Sequence, residues 1–222
     1  ALVEALAKRI DERIGTKSGV SRKMSERIVE KAHRPSILRV KPWHRLEHVR
    51  DTYRFRTDIT SFDQVIPAFE EILKAGLRPV KIDTVKMFQP KEWGWPMIAY
   101  DLRAPNGQII EYQQFLDELK HAKKAGGRAI FEKWRNLTPE QIEDRKAEYL
   151  KDQALSLKLY AEARDAALSK MGFASVTEAK AAWDKISASL PVMAEKFWAK
   201  SFGSMTGTSA PSAQFPEVSR RQ

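Results

Sequence analysis

Cysteine is absent from the 222 residues, which removes disulfides, thiolate-bound zinc and thiol catalysis together and fits a protein at work in a reducing cytoplasm. No apolar run approaches the roughly 18 residues of a membrane span, and no signal-peptide pattern opens the sequence, so a membrane is not an expected partner. Beginning at Ala1 rather than Met, the chain is expected to be a domain excised from something longer. Histidine is scarce, and His33, His44, His48 and His121 lack the spacing of a zinc site. Neither a G-x-G-x-x-G nor a Walker pattern occurs, and Gly126-Gly127 reads as a helix kink or break rather than a phosphate cradle.

What is present is positive charge, unevenly placed. The formal net charge is +10, and residues 1–60 hold 15 Lys and Arg against 8 Asp and Glu, so most of the excess sits in the first quarter. Such a field attracts polyanions, whether nucleotide triphosphates, nucleic acid or an acidic partner. The length suffices for one sizeable domain, or a domain with a helical annex, that buries a core without staples.

Leu2, Leu6, Ile10 and Ile14 recur at helical spacing and predict a helix over Leu2 to Ile14, with Gly15 as its stop. A second helix is expected from about Ser21 to His33, ended by Pro35. The intervening Thr16-Lys17-Ser18-Gly19, with Ser21-Arg22-Lys23 at the helix start, reads as an anion site or as an ordinary N-cap. His48 to Ile59 alternates as a strand, with Asp51 on its apolar side. A carboxylate there needs an arginine or a metal ion, and both remain open. Ser61 to Ala75 reads as a capped helix closed by Gly76, and Val80 to Phe88 as a second strand. Gln89 to Pro96 is a loop whose tryptophans either stack on a phosphate-bearing ring or pack as a hydrophobic loop. Beyond Phe115 helices are expected from Leu116 into Trp134, from Thr138-Pro139-Glu140 to about Met171, and from Thr177 to Lys200 with a bend at Pro191. Residues 201–222 read as a flexible tail.

Tyr100 to Gln113 carries the strongest local signal, an Asn106-Gly107 turn between alternating runs, which predicts a hairpin. A period of two then places Ile109, Glu111 and Gln113 on one face and Ile110 and Tyr112 on the other. A carboxylate and an amide would project side by side, as a solvated strand face or as part of a site.

Taken together, these pieces resemble the synthetase domain of RelA/SpoT-type alarmone synthetases, the ATP-dependent nucleotide 3′-pyrophosphokinases. The resemblance is carried over residues 13–135 by Lys17-Ser18 with Ser21 and Lys23, Asp51-x-x-Arg54-x-Arg56, Lys86, Pro90-Lys91-Glu92-Trp93-Gly94-Trp95, Glu111-Tyr112-Gln113, and Gly127 to Trp134-Arg135. It implies Asp51 and Glu111 as ligands of Mg²⁺, with Glu111 also polarising the acceptor hydroxyl. It implies Lys17, Ser18, Ser21, Lys23, Arg56 and Lys86 at the phosphates of the donor ATP, and Trp95, Gln113, Lys91 and Arg54 at the acceptor. Strict alternation puts Arg56 on the opposite face from Asp51, so a twist or bulge would be needed to bring them to one ligand. Departures cluster on the acceptor side: Arg54 stands for the usual glycine, Trp95 for the tyrosine that stacks on the acceptor guanine, and Pro96 to Ala99 lacks the following Arg-Ser-x-His. Such divergence resembles the synthetase-like toxin domains of bacteria, some of them associated with adenosine nucleotides or the 3′ end of tRNA.

The expected fold is therefore α+β, a mixed, mainly antiparallel sheet of four or five strands with packed helices. Residues 1–137 would form the catalytic core, 138–200 a helical extension and 201–222 the tail. The expected activity is pyrophosphate transfer from ATP to the 3′-hydroxyl of a purine nucleotide, in a toxin domain acting in a bacterial cytoplasm and delivered there as part of a secreted effector, with a cognate immunity protein as partner. The alternatives are pyrophosphorylation of the tRNA 3′ end, a basic RNA-binding module on the same fold, and nucleotidyl or ADP-ribosyl transfer.

Overall fold

The computed structural model describes residues 2–22, 25–38, 53–90 and 92–203. In chain order the elements are α1 (Leu2–Ile14), β1 (Ser18–Arg22), α2 (Ser25–Ala32), the short α3 (Pro35–Leu38), β2 (Tyr53–Ile59), α4 (Val65–Lys74), β3 (Arg78–Asp83), β4 (Ile98–Arg103), β5 (Ile109–Leu116), α5 (Leu119–Ala122), α6 (Arg128–Trp134), α7 (Pro139–Glu143), α8 (Lys146–Lys170) and α9 (Val176–Gly203). The five strands form one sheet in the order β1-β2-β5-β4-β3. Only β2 and β5 run parallel; the other neighbours are antiparallel. The fold is thus α+β with a mixed, mainly antiparallel sheet, as the alternating segments predict.

Alternation decides what each sheet face meets. Phe55, Tyr100, Leu102, Ile110 and Tyr112 are buried on one face against Leu6 and Ile10 of α1 and Phe69 and Ile72 of α4. Phe55 and Tyr112 stack at 4.3 Å between ring centroids, Tyr100 and Tyr112 at 5.3 Å, and Phe69 and Tyr100 at 5.6 Å. Each such side chain, fully buried, contributes about 1.5–3 kcal/mol of transfer free energy. The Ala104–Gln108 turn joins β4 to β5, with Gly107 at φ +85°, a conformation that only glycine adopts at no steric cost. Helix α4 begins after a capping box in which Ser61 accepts from the Asp63 amide and Gln64 reaches back to the Ser61 amide.

α1 is tied to α4 by charge as well as by packing. Glu71, mostly buried, accepts from Arg13 at 2.6 Å and from Lys74 at 3.0 Å. These cations outweigh the cost of burial and hold its carboxyl below the usual carboxylate value.

Four expectations are corrected. Ser18–Arg22 is a strand along the edge of β2, and helix begins only at Ser25, because pairing with an open sheet edge outweighs a helix start that no apolar periodicity supports before that point. The second expected strand ends at Asp83, and Val85–Met87 forms a turn of 3-10 helix that carries Lys86 out of the sheet. The helix expected from Leu116 into Trp134 starts only at Leu119, because β5 runs on through Leu116, and the break expected at Gly126-Gly127 is found there, with Gly126 at φ +112°. The helix expected from Thr138 to Met171 is interrupted between Glu143 and Lys146. The first residues of the strand expected from His48, and the tail beyond 203, lie outside the described residues.

The break after α5 is packed against α8. A Cβ on Gly127 would stand 2.8 Å from Tyr160 Cε2 and 3.0 Å from the Ala122 carbonyl oxygen, and Tyr160 is buried. Gly127→Ala should therefore destabilise the protein by about 1–3 kcal/mol, read as a lower midpoint in urea unfolding. The stability that Glu71 supplies is fully present above the unfolded carboxylate pKa and is lost as pH falls through its depressed folded pKa. Glu71→Gln should accordingly lower stability at pH 7 more than at pH 3 in parallel unfolding curves.

Candidate active site

The face of the sheet opposite the aromatic stack is polar, and the parallel pairing of β2 with β5 sets its composition. Arg54 stands beside Glu111, Arg56 beside Gln113 and Asp58 beside Phe115. On the outer flank β1 sets Ser21 beside Arg54 and Gly19 beside Arg56. On the inner flank β4 sets Asp101 directly across from Glu111 and Ala99 across from Gln113.

Gln113 Nε2 donates to Glu111 Oε1 at 2.8 Å, and Gln113 is itself buried, so the carboxylate is held by a side chain that has little freedom to move. Arg54 Nη1 lies 3.9 Å from Glu111 Oε2; the glutamate side chain is 19% exposed and the arginine 40%. Arg56, 48% exposed, lies 3.6 Å from Asp58. A restrained, mostly buried carboxylate thus stands beside two partly exposed guanidinium groups. This arrangement can accept a proton at the carboxylate while neutralising an anion next to it.

The other residues singled out in the sequence are distributed unevenly. Ser21 shares the Glu111 face, and Lys17 is exposed just before β1. Ser18 points the other way, its hydroxyl donating to Asp11 at 2.8 Å and meeting the Thr57 hydroxyl at 2.8 Å under α1. Lys86 pairs with Asp83 at 2.8 Å. Together with Glu92, Trp93, Trp95, Met97 and Phe131 it lines a cavity of about 280 Å³. Trp95 packs against Phe131 and Tyr160, and Trp93 against Phe131 and Tyr149, so the loop before β4 is a hydrophobic wall that shows part of Trp95 to this cavity. Lys23, Asp51 and Lys91 lie outside the described residues. A larger cavity of about 380 Å³, between the start of α1 and the β4–β5 turn, is lined by no charged group and belongs to the other side of the sheet.

Two groups of residues went unread in the sequence. Asp101 was within reach, because the Asn-Gly hairpin register pairs it with Glu111. Lys123 and Arg128 gave no local signal. They reach the polar face only because the chain turns at Lys123–Gly127, which brings Lys123 Nζ to 4.4 Å from the Phe115 ring and Arg128 to 5.5 Å from the Trp95 ring.

No family model and no curated protein matches the chain. Among solved structures, the Type VI effector Tas1, crystallised with its immunity protein, shares 18% identity over 73% of this chain and 88% of its own, with a TM-score of 0.48. The small alarmone synthetase 1 of Bacillus subtilis bound to its product pppGpp shares 17% over 72% and 88%, also at 0.48. A GTP pyrophosphokinase family protein of Streptococcus pneumoniae shares 16% over 78% and 89%, at 0.41. In chain course, the protein is similar to alarmone synthetases.

Among the described residues no three His, Asp or Glu side chains converge as a metal cage. Mg²⁺ does not require one, since it is commonly held by one or two carboxylates together with substrate phosphates. Glu111, with Asp101 across the ladder, is a donor set of that kind.

The packing of Trp95 sets a test. Trp95→Ala should cost about 3 kcal/mol of unfolding free energy through lost contact with Phe131 and Tyr160, and Trp95→Phe much less, both read in urea titrations.

Proposed function

We propose that this chain is a nucleotide 3′-pyrophosphokinase, transferring pyrophosphate from ATP to the 3′-hydroxyl of a purine nucleotide as the toxin domain of a bacterial effector. The observation that carries this reading is one open sheet face on which Glu111, oriented by buried Gln113, stands beside Arg54 and Arg56 on the neighbouring parallel strand. These are residues of two of the motifs in which the sequence resembles the RelA/SpoT-type synthetases, gathered within two steps of one ladder.

In this reaction the acceptor O3′ attacks the β-phosphorus of ATP. The bond from that phosphorus to the bridging oxygen of the α-phosphate breaks, AMP leaves with the bonding electron pair, and the hydroxyl proton passes to Glu111 and on to solvent. Gln113 keeps the carboxylate turned toward the acceptor hydroxyl. Arg54 and Arg56 bear on the charge of the phosphoryl oxygens, which guanidinium groups bind through paired hydrogen bonds. Lys17 adds cationic reach from the β1 side, Lys86 and Trp95 line the neighbouring cavity, and Lys23 joins the phosphate-binding set through the resemblance alone. Glu111 and Asp51, with Asp101 across the ladder, are the side chains to hold Mg²⁺, which when bound would neutralise the triphosphate. A cognate immunity protein and delivery into a target cell's cytoplasm belong to the same proposal, through the resemblance to toxin versions of the domain.

Incubation with labelled ATP and Mg²⁺, with GDP, GTP, AMP, ADP, ATP or deacylated tRNA as acceptor, should yield a 3′-pyrophosphorylated product from at least one of them. Glu111→Ala should lower that rate by about 10²–10⁴-fold. No product from any acceptor, or full activity in Glu111→Ala, overturns the enzyme reading.

A further inference from the structure

Lys123 is a cation set against aromatic rings rather than beside an ion-pair partner among the described residues. It sits half-buried in the turn between α5 and α6, its ammonium 4.4 Å from the Phe115 ring centroid and 6.0 Å from that of Trp95. The charges it feels are mostly of its own sign: Arg56, Arg128 and Arg54, opposed by Asp58, which lies 3.6 Å from Arg56. Among the described residues no carboxylate stands within ion-pair distance of Lys123. Burial, and next the field of Arg56, push its ammonium below the usual lysine value. A methionine would fill the same niche without that cost.

The groups around it are also short of acceptors. Among the described residues, Trp95 Nε1 and the Tyr160 hydroxyl are buried with no hydrogen-bond partner, and Tyr160, pushed up to about 12 by burial, remains a protonated donor at neutral pH. Arg128 reaches over the Trp95 and Phe131 rings while paired with Glu132 on its own helix. Two cations and two neutral donors therefore gather with little to accept from them, which is the complement of a ligand rich in anionic oxygens. Their position is fixed: Gly127 is wedged under Tyr160, and Phe115 lies four residues beyond Glu111 on the same strand face, about 13 Å away at the rise of a strand. Arg56 stands beside Gln113, midway along that line.

We propose that Lys123 and Arg128, joined to Glu111 by the intervening Arg56, form a phosphate subsite for the polyphosphate of a nucleoside 5′-di- or triphosphate. Its role beside Glu111 rests on the pyrophosphokinase reading; its affinity for phosphate does not. The donor triphosphate and the 5′-phosphates of the acceptor offer the same chemistry, and binding separates them.

Calorimetric titration of the whole chain with α,β-methylene-ATP, GDP, ADP, adenosine and guanosine tests this without turnover. Lys123→Met, which keeps the packing on Phe115 and Trp95, should weaken at least one of the phosphorylated ligands by about ten- to a hundredfold and leave the nucleosides unchanged. Lys123→Arg should keep most of the affinity, and Arg128→Ala should follow Lys123→Met in direction. A loss confined to the ATP analogue assigns the subsite to the donor, and one confined to GDP or ADP assigns it to the acceptor. Unchanged affinity for every phosphorylated ligand in both Lys123→Met and Arg128→Ala, equal losses for the nucleosides, or no binding by the parent chain overturns the proposal. Lys123-dependent binding without any transfer product would instead overturn the pyrophosphokinase reading and leave the subsite standing.

Discussion

The parallel pairing of β2 with β5 is the constraint on which the rest depends. It joins two segments about fifty residues apart, and its register is held from below by the Phe55–Tyr112 stack, which continues through Tyr100 to Phe69. A slip of one residue would turn every side chain of a strand to the other face. The apolar stack thus specifies, on the far side, that Arg54 meets Glu111 and Arg56 meets Gln113. Binding chemistry on one surface is set by ring packing on the other.

The helices after β5 act on this sheet from its end. The turn at Lys123–Gly127 sets Lys123 above Phe115 and leads into α6, where Phe131 braces Trp95. α8 completes the wall with Tyr160, which fits only because residue 127 has no side chain. The loop before β4 is held between these aromatic surfaces rather than displayed in solvent. This end of the sheet therefore presents a cavity bounded by Lys86, Trp95 and Phe131.

Legibility varied with the kind of signal. The hairpin, α1, α4 and α9 were readable because each repeats an apolar period over many residues or carries turn and cap chemistry with a local cause. Ser18–Arg22 was not, since a five-residue strand with three polar side chains has no period to show and exists only because the edge of β2 receives it. Lys86 was placed on a strand because Val80 to Phe88 alternates throughout, although the sheet pairs only as far as Asp83. Within the site, Glu111 and Gln113 were readable as a pair, and their hydrogen bond follows from the period of two. Ser18 was read as a phosphate ligand from its neighbours in sequence, whereas its strand position turns it under α1 toward Asp11 and Thr57.

By itself the sequence determined the two faces of β2, β4 and β5, the hairpin register, and the concentration of positive charge, because these follow from local periodicity, turn geometry and composition. Only the tertiary structure decided which face of which strand meets which. It brought Arg54 and Arg56 to Glu111 across more than fifty residues of chain, and carried Lys123 and Arg128 back over Phe115 and Trp95. The physical reason is that an assembly of like charges has no local signature. It is tolerated where an apolar core of sufficient depth holds the backbone in place and leaves the cations facing a ligand that the chain does not itself supply.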